Sequence, residues 1–181
     1  MDNQLLLKIA KDTIASRFDK SKAVDKQSLL EDYPFLSEKR ATFVTINLDN
    51  KLRGCIGTLE AKHSLLDDLV ANANSAAYYD PRFYPLSLDE LDKVDIEISI
   101  LSEAKPLNYK DIEDLKNKII PFKHGVILEK GIKKATFLPQ VWEQLPIFEN
   151  FFEHLCNKAD LKQDCLLEYP DIYIYEVQKI K

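Results

Sequence analysis

Four glycines, three cysteines and three histidines are all that 181 residues contain. Neither GxGxxG nor the phosphate-cradling GxxxxGK occurs, so the chain shows no nucleotide-binding fingerprint. Three cysteines, odd in number and widely spaced, do not make a disulfide framework. A reducing cytoplasm is therefore the expected compartment. CxxC and HExxH are absent too, and His154, Cys156 and Cys165 lack zinc spacing, so no metal site or cofactor is expected. No apolar run approaches the ~18 residues of a membrane span. The opening MDNQLLLKIAKDTIASRFDK lacks a basic start, a sustained apolar run and a cleavage site, which argues against a secretory leader. Positive charge is not in excess either: a net charge of −5 and a pI near 5.3 argue against bulk electrostatic binding to nucleic acid.

What is present is enough for a packed soluble fold, with 45% hydrophobic and 30% charged residues. The charge is unevenly spread. Residues 105–134 carry eight lysines against four acids, and residues 143–171 carry seven acids against two lysines. Two solvated surfaces of opposite sign would explain this, as would a basic edge that docks an acidic partner or an RNA.

Periodicity gives an element order. Asp2 or Asn3 can cap a helix running to about Phe18, and residues 19–40, with Pro34, read as an irregular connection. TFVTINL and KLRGCIGTL form a hairpin across Asp49-Asn50. Ser64 and Asp67 open a helix over LLDDLVANANSAAYY, whose alanines imply close approach to another element. Ser87 and Glu90 cap a short turn before the strand VDIEISIL, with Val94, Ile96, Ile98 and Ile100 on one face and Asp95, Glu97 and Ser99 on the other. The order then repeats: helix YKDIEDLKNKI, hairpin HGVILEK/IKKATFL, helix IFENFFEHLCNKA, strand DIYIYEVQKI. The expectation is an α+β fold made of a duplicated helix, hairpin, helix, strand unit whose hairpins share one largely antiparallel sheet. Residues 1–40 supply the first helix and connection. The repeats run over about 41–104 and 105–181, the whole forming one compact unit.

Two short stretches stand out. In LRGCIG, Gly54 and Gly57 flank Cys55 within a strand, where glycine weakens pairing. The second hairpin has no internal glycine on its return strand, so these two look additional to the architecture unless another layer packs tightly on the first half. Arg53, Cys55 and Gly57 would share a face, so Arg53 could favour a thiolate while Gly57 leaves room for a ligand. The alternative is a small buried cysteine beside packing glycines or a bulge, with Arg53 paired to a carboxylate. In DPRF, Asp80 precedes proline and leaves the helix, and Arg82 can present its fork to a carboxylate or phosphate. A structural Asp80–Arg82 turn accounts for the same residues. Glu97 is a possible acid or base, and His124 could complete a nucleophile pair with Cys55, oriented by Glu97 or Asp80. Cys156 reads as core, and Cys165 lies in an acidic loop without a second cysteine nearby.

LRGCIG, AAYYDPRFYPL, DIEISIL, KHGVIL and TFLPQVW, in that order, resemble the AMMECR-one domain family, known in prokaryotes as AmmeMemoRadiSam system protein A. The resemblance covers about Thr42 to Lys158. Asn50 replaces a common Gly and Tyr84 a usual Pro. It implies an α+β fold duplicated around one barrel-like sheet, and association with a Memo-like protein and a radical SAM protein. It brings no settled mechanism, only attention to Arg53, Gly54, Cys55, Ile56 and Gly57. Two functional expectations follow. One is a catalytic component acting on an anionic substrate, a nucleotide derivative being one candidate, with Cys55 as reactive group, Glu97 or His124 as proton carrier, and Arg53, Gly54, Gly57, Asp80 and Arg82 around the substrate. The other is a non-catalytic subunit that docks a Memo-like or radical SAM partner or its substrate.

Overall fold

The computed structural model describes residues 2–181. The chain divides into two compact units, one comprising residues up to Leu101 together with Gln178–Lys181, the other Ser102–Val177.

In the first unit, α1 (Asn3–Ala15) starts at Asp2, whose carboxylate accepts the Leu5 N–H at 3.1 Å. It ends at Ala15 rather than near Phe18, and buries Leu6, Ile9, Ala10 and Ile14. The connection expected to be irregular contains a helix, α2 (Lys26–Asp32), capped by Asp25. Its signal is weak because the helix fully buries no residue. β1 (Ala41–Leu48) and β2 (Lys51–Gly57) form the expected hairpin, with Asp49 and Asn50 both left-handed at φ 51° and 59°. α3 (Leu65–Tyr78) is capped by the Ser64 hydroxyl, and α4 (Leu88–Leu91) by the Ser87–Glu90 capping box. β3 (Val94–Leu101) follows and pairs antiparallel with β1. Val44, Ile46, Ile98 and Ile100 face a core filled by α1 and α3. α3 is fixed to the sheet by a buried carboxylate. Asp68 accepts from Thr42 N–H and Oγ1 (both 2.7 Å), Thr58 Oγ1 (2.7 Å) and Asn72 Nδ2 (2.9 Å).

The second unit comprises β4 (Lys105–Pro106), α5 (Ile112–Lys118), β5 (Gly125–Lys130), β6 (Lys133–Phe137), α6 (Phe148–Lys158) and β7 (Asp171–Tyr175). Its core gathers Trp142, Phe148, Phe151, Phe152 and Leu155 against Val126, Leu128 and Ile172. The last strand, β8 (Val177–Ile180), returns to the first unit from Gln178 on.

The α+β class and the repeated order are as expected, but the single barrel-like sheet is not. There are two four-stranded sheets, ordered β2-β1-β3-β8 and β4-β7-β5-β6, and neither closes. Each hairpin takes its own third strand on the outer side of its first strand, β3 on β1 and β7 on β5, which completes a local three-stranded sheet in each half. The fourth place is filled by exchange: β4, which follows β3, joins the second sheet, and β8, which follows β7, joins the first.

Two further expectations are corrected. Cys165 does have a partner, since Cys156 and Cys165 form a disulfide across nine residues, buried in the second core. On chain-entropy grounds such a short loop contributes roughly 2–3 kcal/mol. The basic and acidic runs are also not separate surfaces. Three pairs join them, Lys116 with Glu149 (2.6 Å), Lys133 with Asp160 (2.9 Å) and Lys130 with Glu168, while Lys118 and Lys134 pair within the basic run, with Asp114 and Glu129. These exposed pairs add little stability, about 0–1 kcal/mol each.

Candidate functional site

The site is built from the edge of the first sheet. Between Ile46↔Gly54 and Asn47↔Leu52 the register of β1 and β2 slips, which leaves Arg53 as the unpaired residue of a bulge. Its guanidinium closes on the loop after α3: Nε and Nη2 reach Glu90 (2.7 and 3.0 Å), and Nη1 reaches the Tyr84 carbonyl at 2.9 Å. The Arg53 side chain keeps only 15% of its exposure. The opposite end of that loop holds Cys55. Asp80 Oδ2 accepts the Cys55 N–H at 2.9 Å, and Arg82 Nη2 donates to the Cys55 carbonyl at 3.1 Å. Asp80 and Arg82 are themselves bound through both carboxylate oxygens, at 2.9 and 2.7 Å. LRGCIG and DPRF therefore form one clasp that covers the free backbone edge of β2. An exposed edge strand is otherwise open to pairing with other chains.

The clasp answers why glycine is needed here. A Cβ on Gly54 would lie 2.1 Å from the Ala76 carbonyl oxygen of α3, and one on Gly57 would lie 2.2 Å from the Phe43 ring. Both are packing glycines, the first under helix backbone and the second under a cross-strand aromatic. Gly57 leaves no vacancy for a ligand. The second hairpin uses the same device at another point, with Gly125 beneath the Tyr175 ring.

The clasp is strongly ionic. Hydrogen bonds from Arg82 hold the Asp80 carboxyl well below the usual carboxylate range, against the opposing effect of burial. Hydrogen bonds from Arg53 lower Glu90 to about 2 from 4.5. An unfolded chain takes up a proton at Glu90 near pH 4.5, while the folded protein does so only near pH 2, so unfolding binds a proton in that window. The stability from this pair is complete above about pH 4.5 and drains as pH falls toward 2. Arg53→Met should therefore lower stability at neutral pH by about 2 kcal/mol and flatten the fall between pH 4.5 and 2. Thermal unfolding across that range in both proteins checks this, and parallel pH profiles would refute it.

Beyond the clasp lies a polar row. Thr45 stands opposite Cys55 on one side and opposite Glu97 on the other. Cys55, Thr45 and Glu97 thus share the sheet face turned away from α1 and α3. Thr45 Oγ1 is 3.2 Å from Cys55 Sγ. Glu97 continues the row to the last strand, with Lys181 at 2.7 Å and Lys179 at 3.9 Å. Cys55 is half-buried and is the free cysteine of the chain. At ~4.8 Å between strands, Cys55 and Glu97 stand roughly 10 Å apart across Thr45. Sequence reasoning missed Thr45, because counting back from the Asp49-Asn50 turn pairs it with Gly54, and only the bulge at Arg53 shifts it opposite Cys55. It also read Glu90 only as a cap, when the same carboxylate binds Arg53.

His124 belongs to the second unit, where it is buried and its Nδ1 accepts the Ile120 N–H at 3.1 Å. Burial pushes its pKa down. Its carbonyl accepts the Trp142 indole N–H at 3.0 Å. These bonds give His124 a core role in its own unit. Arg53 and Arg82 do converge, on the loop between Asp80 and Pro85. Arg53 is fully engaged there, while Arg82 retains 54% exposure and an Nη1 with no protein hydrogen bond among the described residues. Among the described residues no group of three or more His, Cys, Asp or Glu side chains is placed to hold a metal.

This architecture recurs in known proteins. The crystal structure of PH0010 from Pyrococcus horikoshii is similar with a TM-score of 0.78 and 32% identity, over 97% of this chain and 88% of that one. Mbar_A1807 of Methanosarcina barkeri is 35% identical over 183 residues, 100% of this chain and 90% of its own length. SSO0193 of Saccharolobus solfataricus is 37% identical over 176 residues, 91% of this chain and 74% of its own length. The AMMECR1 family pattern matches residues 7–180, nearly the whole of both units, and the chain belongs to that family.

Proposed function

We propose that the protein acts on a small anionic substrate at the polar face of its first sheet, with Cys55 as the reactive group. The observation that carries this reading is the row Cys55–Thr45–Glu97, placed in register across three strands and continued by Lys179 and Lys181. A thiol with a hydroxyl donor at 3.2 Å can hold a developing thiolate. Glu97 is the proton carrier of the row, and the unengaged end of Arg82 is the cation available to an anion. Arg53, Gly54, Gly57 and Asp80 serve as the frame that holds Cys55 in place. A cytoplasmic setting suits a reactive thiol, and the Cys156–Cys165 disulfide lies buried in the second core.

A second reading rests on exposed apolar groups around the clasp. Leu52, Tyr84 and Leu88 all face solvent, Tyr84 at 90% exposure. They would suit a docking surface for a Memo-like or radical SAM partner, the association that the family resemblance implies.

Thiol reactivity separates the two. Under native, non-reducing conditions one thiol should react with iodoacetamide, and three should react after denaturation and reduction. Thr45→Val should slow the native reaction at neutral pH by about 3- to 10-fold, the loss of one hydrogen bond to sulfur. If Cys55 reacts only after unfolding, the catalytic reading fails and the docking reading stands.

A further inference from the structure

The second unit contains a cleft of about 220 Å3 that lies apart from everything described so far, lined by Pro106, Tyr109, Tyr169, Pro170, Asp171 and Tyr173 among others. The rings of Tyr109 and Tyr169 are nearly parallel, at 16°, with centroids 6.0 Å apart. Tyr109 is locked in place by its hydroxyl, which donates to the Pro170 carbonyl at 2.7 Å. Burial, with the nearby Asp171 carboxylate adding to it, pushes the Tyr109 phenol up to about 12, so it stays a neutral donor.

Tyr169 is the unusual member. It closes a 3-10 turn at Cys165–Glu168 in the left-handed conformation, φ 49° and ψ 60°. Glycine or asparagine fills such a position at lower cost, and a bulky side chain there carries about 1–2 kcal/mol of strain. The chain accepts that cost for a residue that remains 58% exposed, so core packing is not the return. The return is an open aromatic face beside Tyr109.

Charge narrows the ligand. Asp171 is the one charged residue of the lining, and no lysine or arginine joins it. Its carboxylate is exposed and has no hydrogen bond or ion pair among the described residues, whereas Glu129, opposite it in register, pairs with Lys134 at 3.6 Å. Lys118 approaches the rim through the Asn108 carbonyl (2.9 Å) but is already paired with Asp114 (2.8 Å), so the lining itself offers an anion no cation. The size narrows it further, because pockets for drug-sized ligands measure about 300–1,000 Å3. A cleft of 220 Å3 fits a head group or a single side chain.

We propose that this cleft is a binding site for a small organic cation of the methylated-ammonium kind, held on the faces of Tyr109, Tyr169 and Tyr173 with Asp171 as counter-charge. Weakly hydrated ammonium groups are attracted to aromatic faces within about 6 Å of the centroid. The same head group occurs on free choline-like metabolites and on methylated lysine side chains.

The test is a titration of the full chain followed by NMR, with choline as the cation and dimethylbutanol as its neutral carbon isostere. Choline should shift the Tyr109, Tyr169 and Asp171 resonances saturably, with millimolar or tighter affinity, and the isostere should bind about tenfold more weakly. Asp171→Asn should weaken choline several-fold and leave the isostere unchanged. Tyr169→Gly, which adopts the same backbone conformation without strain, should abolish choline binding. A trimethyllysine peptide titrated alongside assigns the source: tighter peptide binding points to a modified partner protein, tighter choline binding to a free metabolite. Equal binding of choline and the isostere, indifference of choline to both substitutions, or no saturable shift at these residues would each overturn the proposal.

Discussion

Gly54→Ala is expected to destabilise the protein by about 3 kcal/mol or more, the largest effect of any single methyl group added to its glycines. The new Cβ would sit 2.1 Å from the Ala76 carbonyl oxygen and 3.1 Å from its carbon. Both are helix backbone, so no side-chain rotation relieves the clash and α3 itself must move. That movement is resisted by Asp68, which ties α3 to β1 through Thr42. The other glycines make internal controls. At Gly57 the obstacle is the Phe43 ring, which can turn aside, and the cost should be smaller. At Gly131 no atom lies within 4 Å, and only its φ of 62° opposes a side chain, at about 1 kcal/mol. Urea unfolding of the three alanine variants should therefore rank Gly54 above Gly57 above Gly131. A Gly54→Ala protein within about 0.5 kcal/mol of the parent would show that α3 does not press on β2 as described.

Asp80→Ala should cost about 2–4 kcal/mol, from an orphaned Cys55 N–H and an Arg82 left without its carboxylate. The carboxyl group is almost fully buried, while Arg82 is half exposed and can turn to water, which keeps the figure below that of a fully buried pair. Asp80→Asn retains an acceptor for Cys55 N–H and should lose roughly half as much. Amide hydrogen exchange gives the local readout. Protection at Cys55 should fall sharply in the alanine variant and modestly in the asparagine one. If both variants keep the parent's stability and Cys55 protection, the clasp is not what holds the edge of β2.

Features set by neighbouring residues were legible in the sequence. Asp49-Asn50 specified a hairpin because both residues tolerate the left-handed region, and Ser64 with Asp67 and Ser87 with Glu90 marked helix starts. The two faces of VDIEISIL followed from alternation alone. The need for bare backbone at Gly54 was also visible, but the atom that imposes it was not. Ala76 meets Gly54 only because α3 crosses the sheet at that point, and nothing local encodes the crossing. The partner of Arg53 was hidden for a related reason: with 30 acids in the chain, nothing singles out Glu90, which lies 37 residues away. Cys156 and Cys165 escaped because a helix end and a left-handed Asp160 at φ 57° turn the chain back between them. Strand order is the most global of these properties. Two identical local plans are compatible with one shared sheet or with two, and only the destinations of β4 and β8 decide.

Those destinations bear on how the protein is made. The first sheet begins with β1, yet its outer strand β8 comes only after the whole second unit. At about 5–20 residues per second, the whole second unit must be synthesised first, a wait of several seconds. Throughout it β3 offers the nascent chain an unfinished hydrogen-bonding border, open to any passing strand. The first unit is thus completed only after the second has been synthesised, although most of its residues are translated before it.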